Sequence, residues 1–342
     1  MASKGKRGRL SRFLAWLIVA AIIAAGLLWL RSQQFADHGV SLAGARPAVL
    51  VVEPGDGFNT VLSRLRQSGV GQGSNLEWKA LALSMRVADR LQAGEYEIVD
   101  GMTPREIFSR LARGEVIQRK FTIVEGWNFR DLRRALQADT RLAGSVDKLD
   151  DQALMRRLER AGKSPEGRFL PETYVYTRGA TGLQILDRAA KAMDEALADA
   201  WKSRAEALPY QSPDALLTMA SIVEKETGVP AERPMIAGVF VRRLKLGMRL
   251  QTDPTVIYGI GSAYDGNIRK KDLETDTPYN TYLRAGLPPT PIAMPGKLAL
   301  QAAAHPGGGD ALYFVASGGG GHHFSAGLDE HNAAVRKYQL KR

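Results

Sequence analysis

Val51-Val-Glu-Pro-Gly55, followed by Val61-Leu-Ser-Arg-Leu-Arg66, reads as a short β-rich run, a Pro-Gly turn and apolar residues at helical spacing. The pattern recurs. Ile98-Val-Asp-Gly-Met-Thr-Pro104 leads into Ile107-Phe-Ser-Arg-Leu-Ala-Arg113, and Ile123-Val-Glu-Gly-Trp127 leads into Leu132-Arg-Arg-Ala-Leu136. Each is a strand–turn–helix unit whose turn glycine supplies a positive φ. Alternation of this kind predicts an α+β chain. Small ligand-holding modules use such units. An ordinary α+β scaffold is the plainer reading of the same periodicity.

Toward the N-terminus, Phe13 to Leu30 runs without charge or proline, behind a basic leader of Lys4, Lys6, Arg7, Arg9 and Arg12. As a helix it spans roughly 27 Å, close to a hydrocarbon core. Trp16 and Trp29 lie near its ends, where amphipathic rings favour the interface. The positive flank orients the N-terminus toward the cytoplasm. A cleaved signal peptide is the alternative. Against it stand the length of the run and the absence of a small-x-small site after Leu30. The expected organisation is a basic cytoplasmic tail (1–12), a transmembrane helix (13–30) and a polar linker (31–47). A small α/β subdomain (48–118) and a larger α+β domain (119–342) follow, both outside the cytoplasm.

The 342 residues carry 44% hydrophobic and 24% charged side chains, enough for a sizeable core, and a formal charge of +11. That excess fits an anionic partner: nucleic acid, anionic lipid or an acidic wall polymer. An extracytoplasmic location weakens the nucleic-acid reading, as does the scatter of basic residues along amphipathic helices. With no cysteine, disulfides, thiolate metal sites and a cysteine nucleophile are excluded.

Two amphipathic helices flank the aromatic-rich segment Glu166 to Tyr176, and Lys202 to Tyr210 reads as a basic, flexible connection. Ser212-Pro-Asp214 then opens a helix: N-cap serine, proline at the first position, an acid in the first turn. It runs to Thr227 and stops at Gly228, with Pro230 beyond. Stepping back from Glu224 by three and four gives Ser221, Ala220 and Leu217, a small and apolar line that faces a core or the floor of a cleft. Glu226 falls on another face. Carboxylates in a last turn oppose the helix dipole, so an acid there beside apolar neighbours has a raised pKa, as a general acid requires. A solvated, charged helix end is the bland alternative.

Beyond it, Arg249-Leu-Gln-Thr-Asp-Pro254 reads as a polar turn feeding an apolar strand through Gly259. Tyr279-Asn-Thr-Tyr282, Gly286-Leu-Pro-Pro289, His305-Pro306 and Gly318-Gly-Gly-Gly-His-His-Phe324 follow. Amides, hydroxyls and aromatic rings recurring on loops are the chemistry of sugar recognition.

With Ile222-Val-Glu-Lys-Glu-Thr227, Gly247 to Gly259, and Ala303-Ala-His-Pro306, these segments resemble the MltG (YceG-like) endolytic murein transglycosylases. The earlier Glu166-Gly-Arg-Phe-Leu-Pro-Glu-Thr-Tyr174 and the anchor match too, so the resemblance covers nearly everything from about Val51 onward. It implies cleavage of the MurNAc–GlcNAc β-1,4 bond within nascent peptidoglycan strands, leaving a 1,6-anhydro end, without metal or organic cofactor. It also implies a LysM-like subdomain and a place beside peptidoglycan synthases, where cleavage terminates polymerisation. The family's catalytic glutamate falls on Glu224. Gln251, Thr252, Tyr279, Asn280 and Tyr282 are then expected to hold the sugars, with Glu226, Asp253, Tyr258 and His322 as further candidates for strand contact. Where a single histidine is expected in a Gly-Gly-His-x-Phe pattern, this chain has His322-His323-Phe324, so His323 carries no family role. Three rivals stand beside this reading: a two-carboxylate glycan hydrolase, a non-catalytic wall-binding or division scaffold, and a metal hydrolase using Asp253, His305, His322 and His323. The last lacks HExxH or HxH spacing.

Overall fold

The structure is a computed structural model that describes residues 4–44, 47–144, 146 and 148–340, with side chains described from Phe13 onward except at position 28. Residues 1–3 of the expected basic tail, and the side chains of all twelve, lie outside the described residues. The chain divides into two compact units between Arg119 and Lys120.

In the first unit, helix α1 spans Lys4–Asp37. Its apolar stretch is long enough to cross a membrane, and none of that stretch is buried in the protein. The polar linker expected from residue 31 is in fact helical to Asp37. Ala36, Val40 and Leu42 enter the core, Phe35 packs edge-on against Trp78 at 5.2 Å, and Asp37 pairs with Arg105 at 2.8 Å. Serine and glutamine hid the apolar spacing of these positions, and burial decides their conformation.

The rest of the unit follows the alternating pattern. Strand β1 (Ala48–Val52) is joined through α2 (Phe58–Gln67) and α3 (Asn75–Ser84) to β2 (Gly94–Ile98), and α4 (Pro104–Arg113) follows. The strands pair antiparallel, Ala48 opposite Ile98 and Val52 opposite Gly94. Ala48, Leu50 and Val52 are buried while Val49 is exposed, the period-2 signature of a sheet covered on one face. Helices α3 and α4 open with capping boxes, Ser74 with Glu77 and Thr103 with Glu106. Trp78 sits fully buried against Phe108.

The second unit begins with β3 (Arg119–Thr122), α5 (Phe129–Ala138), α6 (Asp151–Arg157), β4 (Thr173–Tyr176) and the long α7 (Gly182–Ser203). Strands β3 and β4 pair with each other. Then come α8 (Pro213–Glu226), α9 (Arg233–Lys245), α10 (Asp253–Ile260), α11 (Lys270–Glu274) and α12 (Lys297–Ala304). A hairpin, β5 (Tyr313–Gly318) and β6 (Gly321–Ser325), and α13 (Leu328–Tyr338) complete it. The connection before α8 ends on a fixed point, because Tyr210 is buried and its hydroxyl donates to the Ala303 carbonyl.

Helix α8 is the centre of this unit. Ser212 caps it by accepting from the Ala215 N–H. Every residue from Leu216 to Glu224 is buried, so the helix is enclosed all round and has no single inward stripe. α7, α9, α10 and α12 all pack on it. α9 is equally enclosed. At Gly238 an added Cβ would collide with the Gly307 carbonyl, and the Gly307 N–H donates to Pro234 at 2.6 Å, so the segment after His305-Pro306 lies directly against α9. The apolar strand expected after Pro254 is instead helix α10. Asp253 in its first turn and Pro254 at its start are helix-initiating signals, and they outweigh the β-branched Thr255-Val-Ile257 once Thr255 and Val256 are buried.

Candidate active site

The last turn of α8 delivers Glu224 into the protein, its side chain only 4% exposed. One carboxylate oxygen accepts from Arg233 Nη2 at 2.7 Å, and the other accepts from the Gly296 N–H at 2.8 Å. Arg233, at the start of α9, also reaches Glu125 at 3.4 Å. The loop bearing Gly296 is pinned to the same helix, since the Ile292 N–H donates to Ser221 Oγ at 3.0 Å, and Met294 exchanges backbone bonds with Gly126 and Trp127. An added Cβ at Gly296 would meet the Glu125 carboxylate, whose half-exposed side chain would have to turn aside.

Burial pushes the Glu224 pKa above the ordinary carboxylate range, against the Gly296 N–H and Arg233, which lower it. The direction is that expected from the helix end, but desolvation is the largest cause. The carboxyl therefore holds a proton more readily than a surface acid, and Arg233 stands ready to stabilise the anion once that proton leaves.

Two residues on, Glu226 accepts a hydrogen bond from Thr252 Oγ1. Burial is the main cause that raises its pKa to about 7; Asp253 adds to the rise, while Thr252 and His322 oppose it. Thr252 is itself buried, its N–H donating to Thr281 Oγ1 at 3.1 Å. Gln251 beside it holds a positive φ of 50°, a strained conformation for a residue with a side chain, and its N–H donates to the Thr281 carbonyl. Asp253 is exposed and accepts from the Tyr282 hydroxyl at 2.6 Å.

Asn280, expected to touch sugar, is instead buried and faces its own loop. Its amide donates to the Leu273 and Thr275 carbonyls at 2.9 and 2.8 Å, and its oxygen accepts from the Tyr282 N–H. It shapes the loop that presents Tyr279 and Tyr282. Tyr279 bonds Thr290 at 2.8 Å and packs edge-on against Tyr258 at 4.7 Å. His322 is held by Glu232, through both its N–H and its ring Nδ1, at 2.8 and 2.7 Å. His323 approaches Glu330 at 3.8 Å, and His305 approaches Ser203. Among the described residues no three His, Asp or Glu side chains converge on a metal position.

Sequence reading missed three supports. Arg233 and Glu232 follow the helix breaker Pro230 and carry no periodic signal, so only tertiary packing brings them to Glu224 and His322. Glu166, in the segment Glu166 to Tyr174, has no local signal of its own. It is buried, accepting from the Phe129 N–H at 3.1 Å and from the Tyr258 hydroxyl at 3.0 Å, and desolvation raises its pKa to about 7. A folded-state pKa above the unfolded 4.5 favours folding most at low pH, and that advantage is lost as pH rises from 4.5 to 7. The rise corresponds to about 3 kcal/mol. Glu166→Gln is therefore expected to match wild type in melting temperature at pH 5 and to exceed it at pH 8. An unchanged difference between the two pH values would remove Glu166 from this account.

A buried glutamate at the end of a core helix, its pKa raised by burial, with an arginine against it and tyrosine, threonine and glutamine nearby, is an arrangement suited to general acid/base chemistry on a polar substrate. The YceG-like family model matches residues 50–337, and the chain belongs to that family. The endolytic murein transglycosylase of Bacillus subtilis (strain 168) is 36% identical over 268 residues, covering 73% of this chain and 74% of the relative. That of Streptococcus pneumoniae (strain D39) is 28% identical over 65% of this chain, which spans only 46% of that longer protein. The crystal structure of a YceG-like protein from Listeria monocytogenes superposes with a TM-score of 0.55 at 29% identity, covering 83% of this chain and 97% of the other.

Proposed function

We propose that this chain is an endolytic peptidoglycan lytic transglycosylase with Glu224 as its single acid/base. The carrying observation is a carboxyl buried to hold a proton, with a cation at 2.7 Å to receive the charge left behind. Glu224 donates its proton to the glycosidic oxygen leaving toward GlcNAc, and the C1–O bond of MurNAc breaks. The 6-hydroxyl of the same MurNAc then attacks C1 and returns its proton to Glu224, closing a 1,6-anhydro ring without consuming water. One carboxyl suffices for both transfers, whereas an ordinary glycan hydrolase uses two at a defined separation. Tyr279, Tyr282 and Gln251 are read as the strand-facing rim, and Thr252 and Asn280 as its supports.

The β1–α2–α3–β2 arrangement is read as a LysM-like glycan-holding module, and α1 as a single-pass anchor with the N-terminus in the cytoplasm. Cleavage beside membrane-bound synthases then sets the length of nascent strands. Mass spectrometry of peptidoglycan treated with the chain tests the reaction. Anhydro-ended fragments are expected. Reducing-ended fragments identify a hydrolase, and sacculus binding without release identifies a scaffold.

A further inference from the structure

Near the candidate acid lies a concavity of about 330 Å³ lined by the first turns of α5, by α10 and by the turn that follows α10. We propose that it is a subsite for a carboxylate carried by the glycan strand, an inference that rests on the transglycosylase reading and gives its substrate a charge. Three cations line it, Arg130, Arg134 and Lys225, against one acid, Asp131. Asp131 is already engaged: it accepts from the Asn128 N–H in the cap of α5 and stands 3.6 Å from Arg134. Net positive charge in a concave site focuses the field on an anion, and guanidinium groups match a carboxylate in shape.

Arg130 is the centre of the subsite. It is exposed, its charge lowers the Glu166 pKa from one side, and no described residue gives its guanidinium a hydrogen-bond acceptor or ion pair, which leaves both edges open to a ligand from solvent. A Cβ at Gly261 would lie 3.4 Å from its Nη1, so the guanidinium rests beside a turn kept bare of a side chain. Lys225 bonds the Gly126 carbonyl at 3.2 Å, which uses one of its three donors. The place relative to the chemistry is fixed by the backbone. Lys225 directly follows Glu224, and Ile292, which also lines the concavity, is bonded to Ser221 one turn before the acid. Tyr258 and Tyr264 add aromatic wall for a sugar or a peptide stem.

Two parts of a strand carry this chemistry. A naked MurNAc presents its lactyl carboxylate, while a peptide-bearing MurNAc has that group in an amide and presents the peptide's carboxylates instead. The test is binding to the full-length Glu224→Gln chain in detergent micelles, by calorimetry. The probes are three MurNAc–GlcNAc tetrasaccharides: naked, peptide-bearing, and peptide-bearing with every carboxylate amidated. At least one carboxylated probe is expected to bind about tenfold or more tighter than the amidated one, the scale of one charged hydrogen bond. Whichever is tighter names the source. The difference is expected to shrink in high salt and to be lost in Arg130→Gln and in Arg134→Gln, the second of which leaves the neighbourhood of Glu166 untouched. Equal binding of all three probes, no binding of any, or a preference that survives both arginine replacements overturns the subsite. Cleavage by the chain with Glu224 intact is followed in parallel. Cutting without carboxylate preference removes the subsite and leaves the transglycosylase, whereas carboxylate-dependent binding without cutting does the reverse.

Discussion

Glu224→Gln is expected to leave a folded chain that binds glycan strands and no longer cuts them. The amide oxygen can still accept from the Gly296 N–H or from Arg233, whose contacts at 2.8 and 2.7 Å frame the side chain. What the amide lacks is a proton to give and a lone pair basic enough to take one back. Loss of general acid/base catalysis costs about 10²- to 10⁴-fold, and in the proposed mechanism one group serves both steps. The measurement is release of anhydro-ended fragments at a temperature where both proteins are folded, because the variant strands the buried Arg233 charge and is expected to melt below wild type. Glu226→Gln is the control, because its carboxyl also carries a pKa near 7 and lies two residues away. Near-wild-type cleavage by Glu224→Gln, with loss in Glu226→Gln, would assign the acid to the other glutamate.

Arg233→Gln carries the second large effect. Arg233 and Glu224 are both buried, and removing one partner of such a pair typically costs about 3–5 kcal/mol because the other charge is stranded. Part of Arg233 is already unpaired, its buried Nε having no acceptor among the described residues. Arg233 lowers the Glu224 pKa, so its loss raises that pKa further above the unfolded value of 4.5. The sign follows: the ionised form is the one the fold disfavours, so the variant's deficit is smallest below pH 4.5 and grows as pH rises through the folded pKa. In activity, the alkaline limb of the pH–rate profile that reports Glu224 as an acid is expected to move upward while kcat falls, since the developing carboxylate loses its cation. A stability deficit flat from pH 5 to pH 8, with an unshifted limb, would mean that Arg233 acts on something other than Glu224.

The elements legible in the chain were those with local signals. Ser212 and Pro213 mark the start of α8, and Thr227-Gly228 its end, because capping and ring closure act within one turn. The three strand–turn–helix units are present for the same reason, with short strands and helices that bury an apolar face. Local signals also misled. Polarity at Ser32-Gln-Gln34 masked a helix that continues to Asp37, and β-branching at Thr255 to Ile257 masked a helix that Pro254 begins. In both places burial against neighbours outweighed intrinsic preference.

The candidate site divides along the same line. That Glu224 sits in the last turn of a helix follows from sequence, and the dipole there predicts a raised pKa, but the rise itself comes chiefly from burial, which packing supplies. Its partners come from beyond the helix: Arg233 lies nine residues on, past the break at Pro230, Gly296 lies 72 residues on, and Glu125, which Arg233 also reaches, stands 108 before Arg233. Nor does local pattern distinguish Asn280, a buried staple of its loop, from Tyr282 beside it, whose hydroxyl reaches Asp253. Residue types and spacing determined that this chain carries an acid on a core helix and a set of sugar-compatible loops. Only the tertiary structure decided which groups surround that acid, because desolvation and ion pairing depend on who fills the few ångströms around a carboxylate, and chain separation says nothing about that distance.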